Sequence, residues 1–207
     1  AEREERRMAR DAAEATTGNA PIGLHTDDEQ TGQVERMIIQ EVLRHGDEII
    51  FEGLETDDGQ TVNLSVAQYI DYDLAQDGLK FTDELYNRIL AEAVEHSTEE
   101  GFRAENYFLH HPDIDISALA GQLALSPYRL SRSLEMKHTA DNLRQRVTHL
   151  VLDLRMNIVK KHLKDIQAQM RTAGSDMDRI RQLMEEYKEA QQLRDVLARR
   201  IGSDLVV

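Results

Sequence analysis

The sequence predicts an all-α protein in which an N-terminal multi-helix bundle is joined by a long helix to a C-terminal antiparallel helical hairpin. Three observations support this prediction. The 207 residues include only 11 Gly and 3 Pro, too few for the turns of an all-β fold. Apolar residues recur at spacings of three and four in successive segments. No Gly or Pro interrupts residues 139–171, which is enough chain for a helix of about 50 Å at ~1.5 Å per residue.

Composition changes along the chain predict three regions. Residues 1–30 are polar, and 16–32 hold three Gly, one Pro and a DDE run, which is typical of a linker. We therefore expect a tether over 1–30, a helical bundle over 31–149 and the hairpin over 150–207. A tether at the start of the sequence suggests that a further domain precedes it, so that the chain is a piece of a longer protein.

Residues that favour helix starts divide the bundle region into helices. Ser65, followed three residues later by Gln68, has the spacing of a capping box. Thr82 is a candidate N-cap for a helix over about 83–97. Asp115 or Ser117 is a candidate N-cap for the helix that follows.

The stretch between the first two helices has a less certain structure. Gly46 is expected to end the first helix. The apolar segment 47–51 fits either a helical turn or an extended stub. Residues 55–61 have the sequence ETDDGQT and are expected to form a polar loop.

Two long amphipathic segments predict the hairpin. Thr172-Ala173-Gly174 breaks the first segment, and Ser175 is the expected N-cap of the second. Each segment carries a stripe of residues expected to face inward. These are Leu143, Val147, Leu150, Leu154, Ile158, Leu163, Ile166 and Met170 in the first, and Ile180, Leu183, Met184, Tyr187, Ala190, Leu193, Leu197 and Ile201 in the second.

Charge is unevenly distributed. The net charge is −14, with 8 basic and 21 acidic residues in 31–138 but 13 basic and 10 acidic residues in 139–207. An acidic body repels phosphate, so we expect little or no direct nucleic-acid binding. The mildly basic C-terminal region suits an acidic protein surface. No apolar run is long enough to span a bilayer and no signal peptide opens the chain, so we expect a cytoplasmic protein without membrane contact.

Catalytic and metal-binding patterns are weak. The chain has no Cys, which excludes disulfides and thiolate ligands. His110 and His111 are adjacent and do not share a helix face, so they fit a helix end better than a metal site. The Asp-x-Asp pairs at 71–73 and 113–115 fit a helix interior and a helix cap. We predict no catalytic, cofactor-binding or metal-binding residues in this chain.

Residues 116–134, ISALAGQLALSPYRLSRSL, have a spacing close to that of a helix-turn-helix. Arg129 and Arg132 would lie on its second helix. The surrounding sequence is acidic, whereas a DNA reader needs basic surroundings. We expect two short helices within the bundle, and keep a DNA-binding regulator as an alternative.

Three segments in this order resemble the C-terminal, helicase-binding domain of bacterial DnaG-type DNA primases. They are VERMIIQEVLRHGDEIIF, LSVAQYIDYDLAQDGLKFTDELYNRILAEAVEH and the closing MEEYKEAQQLRDVLARRIGSDLVV. The resemblance covers about residues 33–207. It implies a helical bundle followed by a hairpin that docks onto the replicative helicase of the DnaB type, at the replication fork and therefore near the nucleoid.

The resemblance also implies what this chain lacks. In the primase family, polymerase activity resides upstream, in a domain with acidic metal ligands for magnesium that follows a zinc-binding domain. Neither has a counterpart here, so the resemblance implies a recruiting domain that is not itself an enzyme and holds no cofactor. Two near alternatives are an N-terminal-type domain of a replicative helicase and a helicase-loader adaptor.

The candidate partner-binding residues are polar or terminal groups of the hairpin. Tyr187 lies on the inward stripe and is better explained as a core residue. The arginines are also compatible with a solvated face, and the apolar end with a disordered terminus. The candidates are Arg179, Tyr187, Lys188, Arg194, Arg199, Arg200, Leu205, Val206 and Val207.

Overall fold

The computed structural model of the chain describes residues 27–55, 60–124, 140–174 and 176–204, and the all-α prediction is confirmed within them. Seven helices and a two-stranded sheet make up the described part. In chain order the elements are α1 Asp27–His45, β1 Ile49–Glu55, β2 Thr61–Ser65, α2 Val66–Gln76, α3 Glu84–His96, α4 Ala104–Leu109, α5 Ile114–Ala124, α6 Ala140–Thr172 and α7 Met177–Asp204.

The first described helix begins inside the predicted tether. α1 starts at Asp27, although we placed the end of the tether at residue 30. The acidic residues of the DDE run favour the positive end of a helix as well as a linker, and the first turn of α1 contains them. The remainder of the predicted tether lies outside the described residues. The boundaries at 30 and 149 remain predictions.

The sequence did not predict a sheet, although the extended alternative for segment 47–51 holds from Ile49, where β1 begins. β1 and β2 pair antiparallel, with Ile49 opposite Ser65 and Leu54 opposite Val62, and the register shifts twice along the ladder. The prediction of a polar loop over 55–61 was wrong at both of its ends, because Glu55 belongs to β1 and Thr61 belongs to β2. Thr61 and Val62 are β-branched and favour extended backbone, which local polarity obscured. Gly53, at φ 67°, lies within the second register shift, between Phe51 and Leu54.

Helix starts match the predicted caps only in part. The Ser65 capping box is confirmed: its hydroxyl accepts from Gln68 N at 3.3 Å, and Gln68 Oε1 accepts from Ser65 N at 3.0 Å. Thr82 was a wrong prediction, because Asp83 caps α3 by accepting from Leu85 N. Thr82 instead donates through its backbone N and its hydroxyl to the buried carboxylate of Glu35, both at 2.9 Å.

The start of α5 also differs from the prediction. The carboxylate of Asp113 accepts from Asp115 N at 2.9 Å, so neither Asp115 nor Ser117 is the N-cap. Asp113 lies one residue before the first helical position, where its oxygen reaches the free N–H groups of the first turn. The second helix of the possible helix-turn-helix, with Arg129 and Arg132, lies outside the described residues, as does Ser175.

Two hydrophobic cores share the long helix α6. The first core contains side chains from helices α1 through α5, from β1 and from the N-terminal half of α6. Its fully buried side chains include Ile38, Ile70 and Phe108. The second begins at Leu152 on α6 and consists of α6 and α7 side chains. Between residues 150 and 159 the two cores lie on different faces of the same helix. Nothing in the described part of the chain is a helix long and apolar enough to cross a membrane.

Candidate docking site

The hairpin consists of α6 and α7, which run antiparallel around the second core. Ile166 of α6 and Leu183 of α7 are completely buried in it. The turn contains Gly174 at φ 59°, a conformation that costs glycine little. Asp176 begins α7 by accepting from Arg179 N at 3.0 Å. α7 packs along α6 and makes only marginal contact with any other described element, so most of its surface faces outward.

That outward surface carries several large apolar side chains, although most residues of α7 are polar. Met177, Met184, Leu193 and Val196 are 69%, 60%, 50% and 53% exposed. Our placement of Met184 and Leu193 on the inward stripe was therefore wrong. Successive side chains of a helix are rotated by about 100° around its axis. Leu183 faces the core, and this rotation places Met184 on one side of it and Leu193 on the other. Exposed apolar groups on one element are a common mark of a protein-binding surface.

The exposed residues of α7 form two stripes. The first, which we name the Met stripe, consists of Met177, Arg181, Met184 and Lys188, at the spacing i, i+4, i+7 and i+11. Among the described residues, the ion pair of Arg181 is a distant, exposed one with Asp178 at 3.7 Å, which contributes little to stability. The Met stripe therefore offers two apolar and two cationic groups in alternation.

The second stripe lies nearer the bundle and consists of Leu193, Val196 and Arg200, which we name the Leu stripe. Two predicted contact residues lie beside it. Arg194 forms an ion pair with its neighbour Asp195 at 2.7 Å, and Arg199 Nε donates to the Asp195 carbonyl at 3.2 Å. These interactions hold the two guanidinium groups against α7 itself.

The other predicted contact residues have different environments. Arg179 donates to Gln169 Oε1 across the hairpin at 2.7 Å, and Lys188 is exposed. Tyr187 is half-buried against the second core, and its hydroxyl accepts from Gln167 Nε2 at 2.9 Å. Tyr187 thus contributes to hairpin packing, the alternative noted from the sequence. Leu205, Val206 and Val207 lie outside the described residues.

Arg200 lies at the edge of a groove where the hairpin meets the bundle. The groove has a volume of about 680 Å³ and combines the sheet, α2, the start of α6 and the end of α7. Leu54 and Tyr72 expose apolar surface in it. Its lining consists of Phe51, Leu54, Leu64, Tyr69, Tyr72, Asp73, Asn142, Arg144, Gln145, Thr148 and Arg200.

The groove is chemically suited to binding. The Arg144 guanidinium lies 5.7 Å from the centre of the Phe51 ring, within cation–π distance. Burial raises the pKa of the Tyr69 hydroxyl, and a hydrogen bond with Thr148 opposes that shift. Tyr69 therefore stays neutral at physiological pH. Aromatic rings beside arginines are typical of surfaces that hold a partner.

Several of the residues considered for chemistry have structural partners. His111 Nε2 lies 2.9 Å from Glu92 Oε2, and its Nδ1 accepts from Asp113 N at 3.1 Å. These contacts place the ring proton on Nε2 when the ring is neutral. Asp113 also pairs with Arg88 at 2.7 Å. In the part of the chain that the structure describes, no group of three acidic or histidine side chains is arranged to hold a metal ion.

Comparison with protein families gives one match. The family described as "Domain of unknown function (DUF8430)" matches residues 24–204. This chain belongs to the DUF8430 family. No curated protein matches it, and no solved structure does. The matched range includes the bundle, the long helix and α7, so the DUF8430 domain spans both hydrophobic cores.

Sequence reasoning missed several surface residues of the DUF8430 domain. Met177, Arg181 and Val196 were not selected, although the phase of α7 relative to Leu183 and Leu197 contained the signal. Phe51 and Leu54 carried no such signal. They line the groove only because β1 packs near the start of α6, an arrangement that no local pattern predicts.

Proposed function

We propose that this DUF8430 domain is a docking domain that recruits primer synthesis to the replicative helicase, as part of a bacterial DNA primase. The observation that carries the proposal is the hairpin, whose second helix packs on α6 and leaves four large apolar side chains exposed. The resemblance in the order of sequence segments supplies the partner. The proposed activity of the domain is binding, and catalysis belongs to the parent protein.

The docking mechanism follows from tethering. A hairpin that holds the helicase keeps the attached polymerase domain close to newly unwound template, which raises its effective concentration there. Priming requires release as well as capture, so moderate affinity from several small contacts suits the task. The alternating apolar and cationic groups of the Met stripe would fit an apolar surface bordered by carboxylates.

The first test measures association with the replicative helicase of the same organism. We expect the wild-type chain to bind with micromolar or tighter affinity in calorimetry. Substituting Met184→Glu or Leu193→Glu should weaken binding about tenfold or more, because each places a carboxylate within a central apolar contact. Both side chains are exposed, so circular dichroism and the melting temperature should be unchanged.

A matched control separates the hairpin from exposed apolar surface in general. Ile114 on α5 is 79% exposed, and Ile114→Glu should leave helicase binding intact. Equal weakening by Ile114→Glu would contradict a hairpin site, and no binding by the wild-type chain at high concentration would sink the proposal. A salt-dependent gel shift with DNA would instead support the alternative of a DNA-binding regulator.

A further inference from the structure

Arg155 lies where the two hydrophobic cores change faces on α6. Its neighbours Leu154 and Met156 belong to the first and the second core respectively. The Arg155 side chain is only 19% exposed, which is low for a guanidinium on a long amphipathic helix. A charged group so enclosed requires partners that satisfy its donors.

Those partners are at the C-terminal end of α2. Arg155 Nε donates to Asp73 Oδ1 at 2.9 Å, and Nη2 donates to the Asp73 carbonyl at 2.6 Å. Nη1 donates to the Asp77 carboxylate. The guanidinium therefore holds two carboxylates and one carbonyl of the last turn of a helix, where a cation is also favoured by the helix dipole.

The position of this contact allows it to control the direction of the hairpin. α7 packs almost entirely on α6, so the hairpin is connected to the rest of the molecule chiefly through α6. Its direction relative to the bundle depends on how α6 is held near the point where the second core begins. Arg155 joins α6 to α2 at that point, whereas Arg146 joins α6 to Glu41 of α1 nearer its start. Farther along α6, Lys161 pairs with Asp28 of α1, but both of these side chains are exposed, so that ion pair restrains α6 less.

We propose that Arg155 is a positioning residue that fixes the direction of the hairpin relative to the bundle. The side-chain fork restrains α6 against sliding along or leaning away from α2. On the proposed docking function, a fixed hairpin presents its two stripes and the groove in one arrangement, which lowers the entropy cost of binding. The role in positioning does not itself depend on the identity of the partner.

The test measures the hairpin direction in the chain alone. The protein has no native cysteine, so spin labels can be placed without background. We would label cysteines at the exposed positions Glu95 on α3 and Arg171 at the far end of α6, and measure their distance distribution by pulsed electron paramagnetic resonance. The wild-type chain should give one narrow distribution, and Arg155→Met should widen it or shift its centre.

Two further variants test whether the change in distance is specific to the Arg155 contact. Arg146→Met removes an ion pair of similar geometry with Glu41 nearer the start of α6, and it should leave the distribution narrow. If Arg155→Met fails to fold, the double variant Asp73→Ala with Asp77→Ala removes both side-chain partners of Arg155 from the other side, and an unchanged distribution in that variant would equally overturn the proposal. An unchanged distribution in a folded Arg155→Met chain, or equal widening by Arg146→Met, would overturn the proposal.

Failure of this proposal is distinguishable from failure of the proposed function. The distance measurement uses no partner, so an absence of helicase binding would leave its outcome untouched. Where the wild-type chain does bind helicase, Arg155→Met should weaken that binding up to about tenfold, because part of the ordering cost then falls on association. Arg146→Met should not weaken it.

Discussion

Gly46 shows how one residue couples the end of α1 to its neighbours. A Cβ atom added at Gly46 would lie 2.4 Å from the Val42 carbonyl oxygen and 3.3 Å from Ala104 Cβ. The first distance is far inside van der Waals contact, so the backbone would have to move. Gly32, in α1, has open space around the same position. The sequence shows both as glycine, and only the packing distinguishes them.

Alanine substitutions at these two glycines should have opposite effects. Gly46→Ala should destabilise the protein by about 1–3 kcal/mol, since it forces a shift against packed backbone. Gly32→Ala should stabilise it by up to about 1 kcal/mol, because alanine favours an exposed helix interior. Urea denaturation followed by circular dichroism measures both. Equal stability of the wild-type and Gly46→Ala chains would contradict the close approach.

At the scale of elements, the helices could be predicted from local sequence patterns, whereas the strands could not. The Ser65 capping box was visible in the sequence because its two partners are three residues apart. The sequence did not show that Asp83 rather than Thr82 caps α3, because Thr82 instead forms hydrogen bonds with Glu35 of α1, 47 residues earlier. Likewise, Phe51 and Leu64 extend because they pair with each other. Predicting the sheet would have required knowing that pairing.

The start of α5 predicts a dependence of stability on pH. The hydrogen bond from Arg88 and the backbone N–H of Asp115 hold the pKa of Asp113 below its ordinary value of 3.8. A carboxyl with a lowered folded-state pKa stabilises the fold above its unfolded pKa and loses that contribution as pH falls through the folded value. Asp113→Asn keeps a capping oxygen but loses the charge.

We therefore expect wild type to melt above Asp113→Asn at neutral pH, with a gap that closes as pH falls below 3.8. Arg88→Met should show the same closing gap, because the hydrogen bond from Arg88 does most to lower the pKa of Asp113. Melting temperatures between neutral pH and pH 2.5 (roughly the lower end of the acid titration range) test this. A gap that is constant over the whole range would contradict the assignment.

At the scale of the whole molecule, two cores on one long helix predict unequal stability. Within the described ranges, the second core contains far fewer buried side chains than the first and is built from α6 and α7 alone. Its loss need not disrupt the bundle, since Ile89 and its neighbours are buried independently of α7. A docking element with lower local stability than its support is physically reasonable.

Hydrogen exchange should reveal this difference. Leu183→Ala creates a cavity in the second core, with a typical cost of about 2–5 kcal/mol. It should lower amide protection in α7 and in distal α6 while leaving α3 protected. Ile89→Ala, a deletion in the first core, should lower protection in α3. Uniform loss of protection throughout the chain in Leu183→Ala would show that the two cores unfold as one unit.

The helical class, the long uninterrupted α6 and the hairpin break near Gly174 could all be predicted from the sequence, because periodicity and helix termination act over a few neighbouring residues. The sequence also predicted that α7 carries contact residues. Three further features follow from the packing of the helices: which α7 side chains remain exposed, the groove that Phe51 and Arg200 share, and the contact of Arg155 with Asp73 across 82 residues. Those relations depend on how helices pack in space, and side-chain periodicity specifies a face without specifying what that face meets.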